Sequence, residues 1–467
     1  MVPQLRDYQS NAVEGIRQRF REGYRAPCLV VPTGGGKTII FSYIAHQTAD
    51  RGRRVLILVH RIELLRQTQK KLHAFGVRVG LISPKYAPDP YAPVQVAMVQ
   101  TMIRRTHLYP DFDLIITDEC HHVAANTYLQ VINAYPAAFQ LGVTATPVRT
   151  DGKGLGKRSG GIYDALVIGP TTRELIDRGF LVEPRVFAPP SLIDLAGVRR
   201  TGGDFNKKDL NERSNTRQVT GNAVDHYRSL CPHAPAVVFC VSVEHAKNVA
   251  GEFRAAGFRA FHADGGMEDA ERSRILGGLA DGSSEVVCSC DLISEGTDIP
   301  EIQAAILLRP TESFGLYLQQ VGRALRPANG KEAAIILDHA GNTKHGLPTQ
   351  EINWTLDGEI KAKRKKGDET AGPSVTICNN CFAVFESYRN ACPSCGQVRE
   401  VKATTIEQTD EQLKEISAAE AARINRAKRQ EVGRARTLEE LEAIAATRGY
   451  KPGWAKHVFN SRGGVPQ

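Results

Sequence analysis

A short apolar run, Ala26 to Val30, leads into Val31-Pro32-Thr33-Gly34-Gly35-Gly36-Lys37-Thr38, and a helix-length periodic segment follows at once. A strand that turns through consecutive glycines into a helix N-terminus is a phosphate-binding arrangement. The glycines let backbone N–H groups curl around the anion, and the helix end favours its charge. Lys37 then neutralises the β- and γ-phosphates of a nucleotide, and the Thr38 hydroxyl holds Mg²⁺. Val31 stands where the strict pattern has glycine, so a plain glycine-rich turn is the alternative reading of these residues taken alone.

The same alternation runs on through Arg54–His60, Val94–Gln100, Asp113–Glu119 and Phe139–Pro147. It resumes after the Gly- and Lys-rich stretch 151–161 with Pro235–Ser242, Phe258–Asp264, Glu285–Cys290, Ala304–Pro310 and Ala333–His339. Apolar strands fed by crossover helices make a parallel sheet covered on both faces. The chain is therefore read as α/β, with two tandem units of this kind over 1–185 and 186–347. A basic, then Gly/Pro/Ser-rich linker is expected at 348–375, a cysteine module at 376–398 and a helical tail over 399–467, with helix caps at Thr409 and at Thr437 with Glu440. The 467 residues carry 60 basic against 51 acidic side chains, a net charge of +9, which favours a polyanionic partner, nucleic acid or anionic lipid. No apolar run reaches the roughly 18 residues of a membrane span, and the N-terminal segment has no signal-peptide character, so an intracellular chain with no membrane partner is expected. Cys28, Cys120, Cys231, Cys240, Cys288 and Cys290 lie in apolar segments and read as buried thiols.

At the end of its strand, Asp118 is placed to reach the metal and Glu119 to polarise an attacking water. A helix cap is the plain alternative for such a pair, but Thr144-Ala145-Thr146-Pro147 at the end of the next strand argues against it. With these segments in this order the chain resembles superfamily 2 helicases of the DEAD/DEAH-box type. The resemblance extends to Leu5-Arg6-Asp7-Tyr8-Gln9, to Ser294-Glu295-Gly296-Thr297-Asp298-Ile299-Pro300 and to Gln319-Gln320-Val321-Gly322-Arg323-Ala324-Leu325-Arg326. It implies two RecA-like domains that hydrolyse ATP between them. Arg6 and Gln9 would read adenine, Thr33, Gly34, Gly35, Gly36, Lys37 and Thr38 would hold the phosphates, and Gly296 and Asp298 would complete the ATP site. Arg323 and Arg326 would stabilise the charge of the transferring phosphoryl group, with a structural surface arginine as the alternative at Arg326. His121, Thr144 and Thr146 would couple hydrolysis to movement, with a buried structural histidine as the alternative at His121. Gln320 replaces an arginine common in relatives and is given no catalytic role.

By the same resemblance Arg61, Gln100 and Thr101 in the first unit, and Ser242, His245, Ser289 and Ser294 in the second, would line a nucleic-acid track. Ordinary caps and surface roles are the alternative for each. Cys378-Asn379-Asn380-Cys381 and Cys392-Pro393-Ser394-Cys395 form two CxxC pairs whose spacing suits tetrahedral Zn²⁺. Phe382, Phe385 and Tyr388 between them can stack bases or cover the ribbon. The motor motifs with such a ribbon look most like RadD-like helicases of bacteria and phages, and Ile335–Gly346 resembles the segment that follows the sixth motif there. That likeness implies an ATP-dependent DNA helicase or translocase in the cytoplasm, acting on single-stranded or branched DNA in repair, recombination or phage DNA metabolism. It also implies a repair, replication or defence protein as a further partner. An RNA helicase, the motor of a restriction complex and an ATP-gated scaffold are the competing readings.

Overall fold

The computed structural model describes residues 3–123, 125–149, 151–189, 193, 195, 197–201, 203–291, 299–358, 375–399, 431–432, 435, 437–448 and 453–461. It has two compact units, Met1–Arg399 and Glu400–Gln467. The first sheet of the larger unit is built from β1 (Pro27–Val30), β2 (Val55–Val59), β3 (Val79–Ile82), β4 (Val94–Met98), β5 (Leu114–Asp118), β6 (Phe139–Thr144) and β7 (Ala165–Ile168). Its order is β3-β4-β2-β5-β6-β1-β7, and every pairing is parallel. β2 and β5 are buried along their whole length, as strands covered on both faces must be. The pleat divides their side chains between two cores. Leu29, Ile57 and Ile116 pack against α1 (Asp7–Arg21), α2 (Lys37–Ala49) and α3 (Ile62–Ala74). Cys28, Leu56 and Ile115 pack on the other face with residues of α4 (Val99–Met102) and α5 (Asn126–Asn133).

The second sheet contains β8 (Glu183–Phe187), β11 (Ala236–Phe239), β12 (Ala260–Ala263), β13 (Val286–Ser289), β14 (Ala304–Leu307) and β15 (Ala333–Asp338), in the order β12-β13-β11-β14-β15-β8. All of its strands are parallel too. Between β8 and β11 stands a hairpin, β9 (Arg200–Thr201) with β10 (Asp204–Phe205). The helices of this half are α6 (Thr172–Asp177), α7 (Lys207–Ser214), α8 (Arg217–Leu230), α9 (Val243–Ala255), α10 (Asp269–Asp281) and α11 (Phe314–Ala324). Two RecA-like domains result, as expected. The chain joins the second sheet at Glu183, within the stretch that the sequence pattern gave to the first unit.

The cysteine module does not stand apart from the second sheet. Its antiparallel strands β16 (Val375–Ile377) and β17 (Val384–Glu386) lie beside β8, where Phe187 bridges Ala383 and the Ala188 N–H donates to the Phe382 carbonyl at 3.0 Å. Cys378, Ala383, Phe385 and Cys392 enter the same core as Tyr227 and Phe253. Phe385 is therefore a covering residue, whereas Tyr388 is 70% exposed. Part of the expected linker also packs. The Gly156 N–H donates to the Leu356 carbonyl at 2.7 Å and Ser159 Oγ to the Asp357 carbonyl at 2.9 Å, so residues 354–358 lie back on the first domain. Residues 359–374, the rest of that linker, and the Thr409 cap fall outside the described residues.

In the smaller unit α12 (Leu438–Arg448) packs on α13 (Trp454–Ser461), with Leu441 and Ala455 buried. The expected capping box forms, with the Glu440 N–H donating to Thr437 Oγ1 and the Thr437 N–H to Glu440 Oε2, both at 3.2 Å. None of the ten cysteines is in a disulfide. No helix among the described residues is long and apolar enough to cross a membrane.

Two histidines of the second domain are held neutral by burial. His245 on α9, whose Nδ1 accepts the Val241 N–H at 3.4 Å, has its pKa pushed down to about 4. His339, stacked on His226 after β15, is pushed down to about 3 by burial and then by His226. Folding lowers both pKa values, so their contribution is intact above the unfolded value near 6.5 and is lost as pH falls from there toward 4 and then 3. Stability should fall on acidification by up to about 1.4 kcal/mol per pH unit for each histidine. Chemical denaturation followed at about pH 7 and about pH 5 checks this, and an unchanged midpoint would contradict it.

Candidate nucleotide site between the two domains

Because β5, β6 and β1 are neighbours in the first sheet, their carboxyl ends bring three separate segments side by side. Ligands of open parallel sheets bind at this edge. After β1 the chain turns through Gly34 and Gly36, whose φ angles of +87° and +83° are left-handed, and Gly36 becomes the N-cap of α2. After β5, Glu119 takes a left-handed φ of +48°, a conformation that costs a non-glycine residue about 1–2 kcal/mol. That turn holds its carboxylate at the sheet edge, with the Glu119 N–H donating to Asp118 Oδ1 at 3.0 Å. Lys37 Nζ lies 3.5 Å from Glu119 Oε1, and His121 Nδ1 lies 3.5 Å from Glu119 Oε2. His121 Nδ1 is also 3.2 Å from Thr144 Oγ1, which donates to the Thr146 carbonyl at 2.9 Å. Lys37, Asp118, Glu119, His121, Thr144 and Thr146 are thus brought together. The buried-histidine reading of His121 and the coupling reading share one geometry.

Gln9 lies on the other side of the phosphate loop. Its Oε1 accepts the Arg6 N–H at 3.0 Å, and a Cβ added to Gly36 would sit 2.5 Å from its Nε2. The Arg6 guanidinium lies 4.0 Å over the Phe180 ring, and Tyr8 packs beside Phe180. Arg178 pairs with Asp7, holding that carboxyl below its usual range, and lies over Tyr8 and Phe180. Phe180 and Arg178 were not singled out from the sequence, because nothing local marks the turn before β8 as a neighbour of the N-terminal segment. Its Leu181 also touches the loop, 2.8 Å from a Cβ built on Gly34.

The second domain closes the site through α11. Ser313 caps this helix, accepting the Leu316 N–H at 3.3 Å. Gly315 and Gly322 lie two turns apart and so share a face. A Cβ on Gly315 would meet Thr146 Oγ1 at 2.7 Å, and one on Gly322 would meet Thr33 Cβ at 2.6 Å. Arg323 is 5% exposed, and Arg326 Cγ lies 3.7 Å from a Cβ built on Gly34. Arg323 stands on the helix that contacts the phosphate loop, and Arg326 on the turn that follows that helix. Gly296 and Asp298 lie outside the described residues.

The nucleic-acid candidates are more scattered. Arg61 crosses between domains, its Nη1 donating to the Asp291 carbonyl at 2.8 Å. Gln100 is exposed, whereas Thr101 is 9% exposed within α4. Ser242 caps α9 by accepting the His245 N–H at 3.0 Å, and donates to Asn211 Oδ1 at 2.6 Å. His245 in α9 and Ser289 at the end of β13 are buried, at 0% and 1% exposure. Ser294 lies outside the described residues.

Further interdomain contacts were not visible in the sequence. Arg272 pairs with Glu63 at 2.9 Å, and Asp269 pairs with Arg66 at 3.1 Å and Lys85 at 3.0 Å. The segment Ile335–Gly346 explains itself as a scaffold. Asp338 accepts the Thr343 N–H at 2.6 Å, while Asn342 donates to the Arg309 carbonyl at 2.9 Å and accepts the Thr311 N–H at 3.0 Å. It fixes the exit of β14, from which Arg309 reaches Asp291 and Ser313 starts α11.

The thiols of Cys378, Cys381, Cys392 and Cys395 lie within 4.8 Å of one another, an arrangement compatible with a tetrahedral metal. The Gln397 N–H and the Asn380 side chain draw the Cys395 thiol down to about 6, toward the thiolate that binds metal.

Comparison with known proteins fits this geometry. Residues 3–149 match the family "Type III restriction enzyme, res subunit", and residues 224–328 match "Helicase conserved C-terminal domain". A 51.5 kDa protein of a Lactococcus phage (isolate 7-9) is 33% identical over 368 residues, covering 78% of this chain and 76% of the phage protein. The chain belongs to the superfamily 2 helicases. This helicase is also 31% identical over 411 residues to the ATP-dependent helicase IRC3 of Saccharomyces cerevisiae, covering 79% of this chain and 58% of that protein. It thus spans little more than half of the yeast relative. A fragment of the HsdR subunit of a type I restriction enzyme from Vibrio vulnificus YJ016 shares the fold, with a TM-score of 0.59 at 21% identity over 74% of this chain and 67% of that chain.

The glycine face of α11 yields a test. Gly322→Ala puts a methyl group into Thr33, and overpacking of this kind costs about 1–3 kcal/mol. The helicase should lose at least about tenfold in steady-state ATP hydrolysis. Its melting temperature should change little, because the clash lies between the domains and not in either core. An unchanged hydrolysis rate would show that the domains do not need this contact.

Proposed function

We propose that this chain is a DNA-stimulated ATPase that moves on or remodels DNA by closing and reopening the cleft between its two RecA-like domains. The observation that carries the reading is the seating of α11 on the phosphate loop, which places Arg326 against Gly34. A guanidinium brought from a second domain contributes about 10³ to 10⁵ in rate where it has been measured in NTPases. Hydrolysis tied to closure is therefore tied to domain movement.

Each residue then has a part. Gly34, Gly35 and Gly36 with the N-terminus of α2 bind the phosphates, and Lys37 neutralises them. Arg6 and Gln9 hold the adenine edge beside Phe180. Glu119 orients the water and takes up its proton as the oxygen attacks the γ-phosphorus, while Arg323 and Arg326 stabilise the charge gathering on the phosphoryl oxygens. The hard oxygen donors of Thr38 and Asp118 suit Mg²⁺, which when bound offsets phosphate charge. The four cysteines suit zinc, in the role of a structural centre.

DNA is the favoured polymer because a relative 24% identical over 375 residues, from Sulfurisphaera tokodaii, is named a DNA 3'-5' translocase. The net charge of +9 gives any such contact a salt-sensitive component. Gln100 is exposed, which supports a surface role in the track, and the half-buried Arg61 stands where the two domains meet. Domains bounded near 1–185, 186–347, 376–398 and 399–467, a cytoplasmic location, and a repair, replication or defence partner belong to the same proposal.

Steady-state hydrolysis measured with no polymer, single-stranded DNA, forked DNA and RNA tests the reading. Stimulation by DNA above RNA, weakened by salt, is expected, and equal stimulation by RNA would reassign the polymer. Glu119→Gln should retain binding of a fluorescent ATP analogue and lose at least about 10²-fold in turnover. A wild-type rate in that variant would overturn the assignment of Glu119. Removing zinc with a chelator should lower the melting temperature by several degrees, because Cys378 and Cys392 belong to the second domain's core. A metal-free protein of unchanged stability would exclude a structural centre.

A further inference from the structure

Lys331 follows a tight turn in which its N–H donates to the Ala328 carbonyl at 3.1 Å and Gly330 has a φ of +74°. The turn sends the side chain inward. Its Nζ donates to the carbonyl of Arg326 at 2.6 Å, of Ile302 at 2.6 Å and of Pro300 at 3.2 Å. An ammonium has three N–H donors and no acceptor, so three carbonyls satisfy it completely. Two of them belong to the segment that leads into β14, and the third belongs to Arg326 itself.

We propose that Lys331 is a positioning residue for ATP hydrolysis, stapling the loop that carries Arg326 to Pro300–Ile302 and so holding that guanidinium at the phosphate loop. The inference rests on the reading of Arg326 as the arginine that acts on the transferring phosphoryl group. A buried ammonium is expensive, and the surroundings show it: burial, then the Arg326 charge, push its pKa down to about 7, with Glu301 the charge that opposes them. Such a group is tolerated only while its hydrogen bonds are made. The staple therefore specifies one arrangement of three backbone segments, where an apolar side chain would accept many. The same arrangement fixes the chain just after residues 292–298, which carry Gly296 and Asp298.

Lys331→Met keeps much of the side-chain length and removes every donor. With saturating DNA, this variant should lose about tenfold to hundredfold in kcat, while its KM for ATP stays within about threefold of wild type, as expected for a misplaced transition-state group. Arg326→Ala should be slow as well, and the double variant should be no slower than Arg326→Ala alone, since the lysine acts through the arginine. Losses that multiply in the double variant, or a wild-type kcat in Lys331→Met beside a slow Arg326→Ala, would overturn the proposal. A wild-type kcat in Arg326→Ala would instead overturn the reading of the arginine, and the staple with it. Lys331→Gln, which keeps two N–H donors without the charge, gives the same cycle if the methionine variant does not fold.

Discussion

The close approach of α11 to the phosphate loop governs the rest of the molecule. At Gly315 and Gly322 the helix has no side chain, and backbone meets Thr146 and Thr33 with no room for a methyl group. That spacing puts the two contacts on one face, and it sets Arg326, just past the helix, beside Gly34 of the phosphate loop. Every device around α11 serves the same placement. Ser313 caps its start, Asn342 fixes the strand exit before it, and Lys331 fixes the loop after it. A helix held at both ends by hydrogen bonds keeps its register, and register decides whether a guanidinium reaches its target.

The seam between the domains differs in chemistry from the cores on either side. Each sheet is packed by fully buried aliphatic and aromatic side chains, whereas the described contacts across the seam include Glu63 with Arg272, Arg66 and Lys85 with Asp269, and Arg61 with the Asp291 carbonyl. The pairs of Asp269 with Arg66 and Lys85 are exposed, contribute about 0–1 kcal/mol each and are screened by salt, whereas Arg272 is buried and its pair with Glu63 is screened less. Apolar cores hold the domains intact, and polar contacts hold them together weakly enough to part. Glu119, His121, Thr144 and Thr146 form a continuous line from the sheet edge to Gly315. The line of residues expected to sense the nucleotide therefore ends, at Thr146, against the partner domain.

Much of this was legible in the sequence because its signals are local. The phosphate loop, the acidic pair after β5 and the threonines after β6 are marked by residue types within a few positions of a strand, and the parallel order then places them together. The turn at Phe180, the return of residues 354–358 to the first domain and the pairs around Asp269 are contacts between distant segments, with no local composition to announce them. His245 and Ser289 show what a local pattern leaves open. Ser289 ends β13 and His245 lies in the first turn of α9, but position near a strand end does not say how far a side chain is exposed, and both are buried.

The ribbon's position follows from a constraint on the second sheet. β8 is that sheet's edge strand, and an uncovered edge invites pairing with other chains. A module of about 25 residues cannot build a core of its own without a metal or another staple. Laid beside β8, the ribbon supplies Phe385 and Ala383 to the sheet's core and takes shielding in return, with Cys378 and Cys392 buried and Cys395 exposed. Two of the four thiols thus face the domain interior and one faces solvent, so metal binding and the packing of the sheet edge depend on the same few atoms. β8 pairs with β15, whose end carries Asp338 and the turn that fixes α11. The ribbon braces, through two adjacent strands, the scaffold from which the arginines are presented.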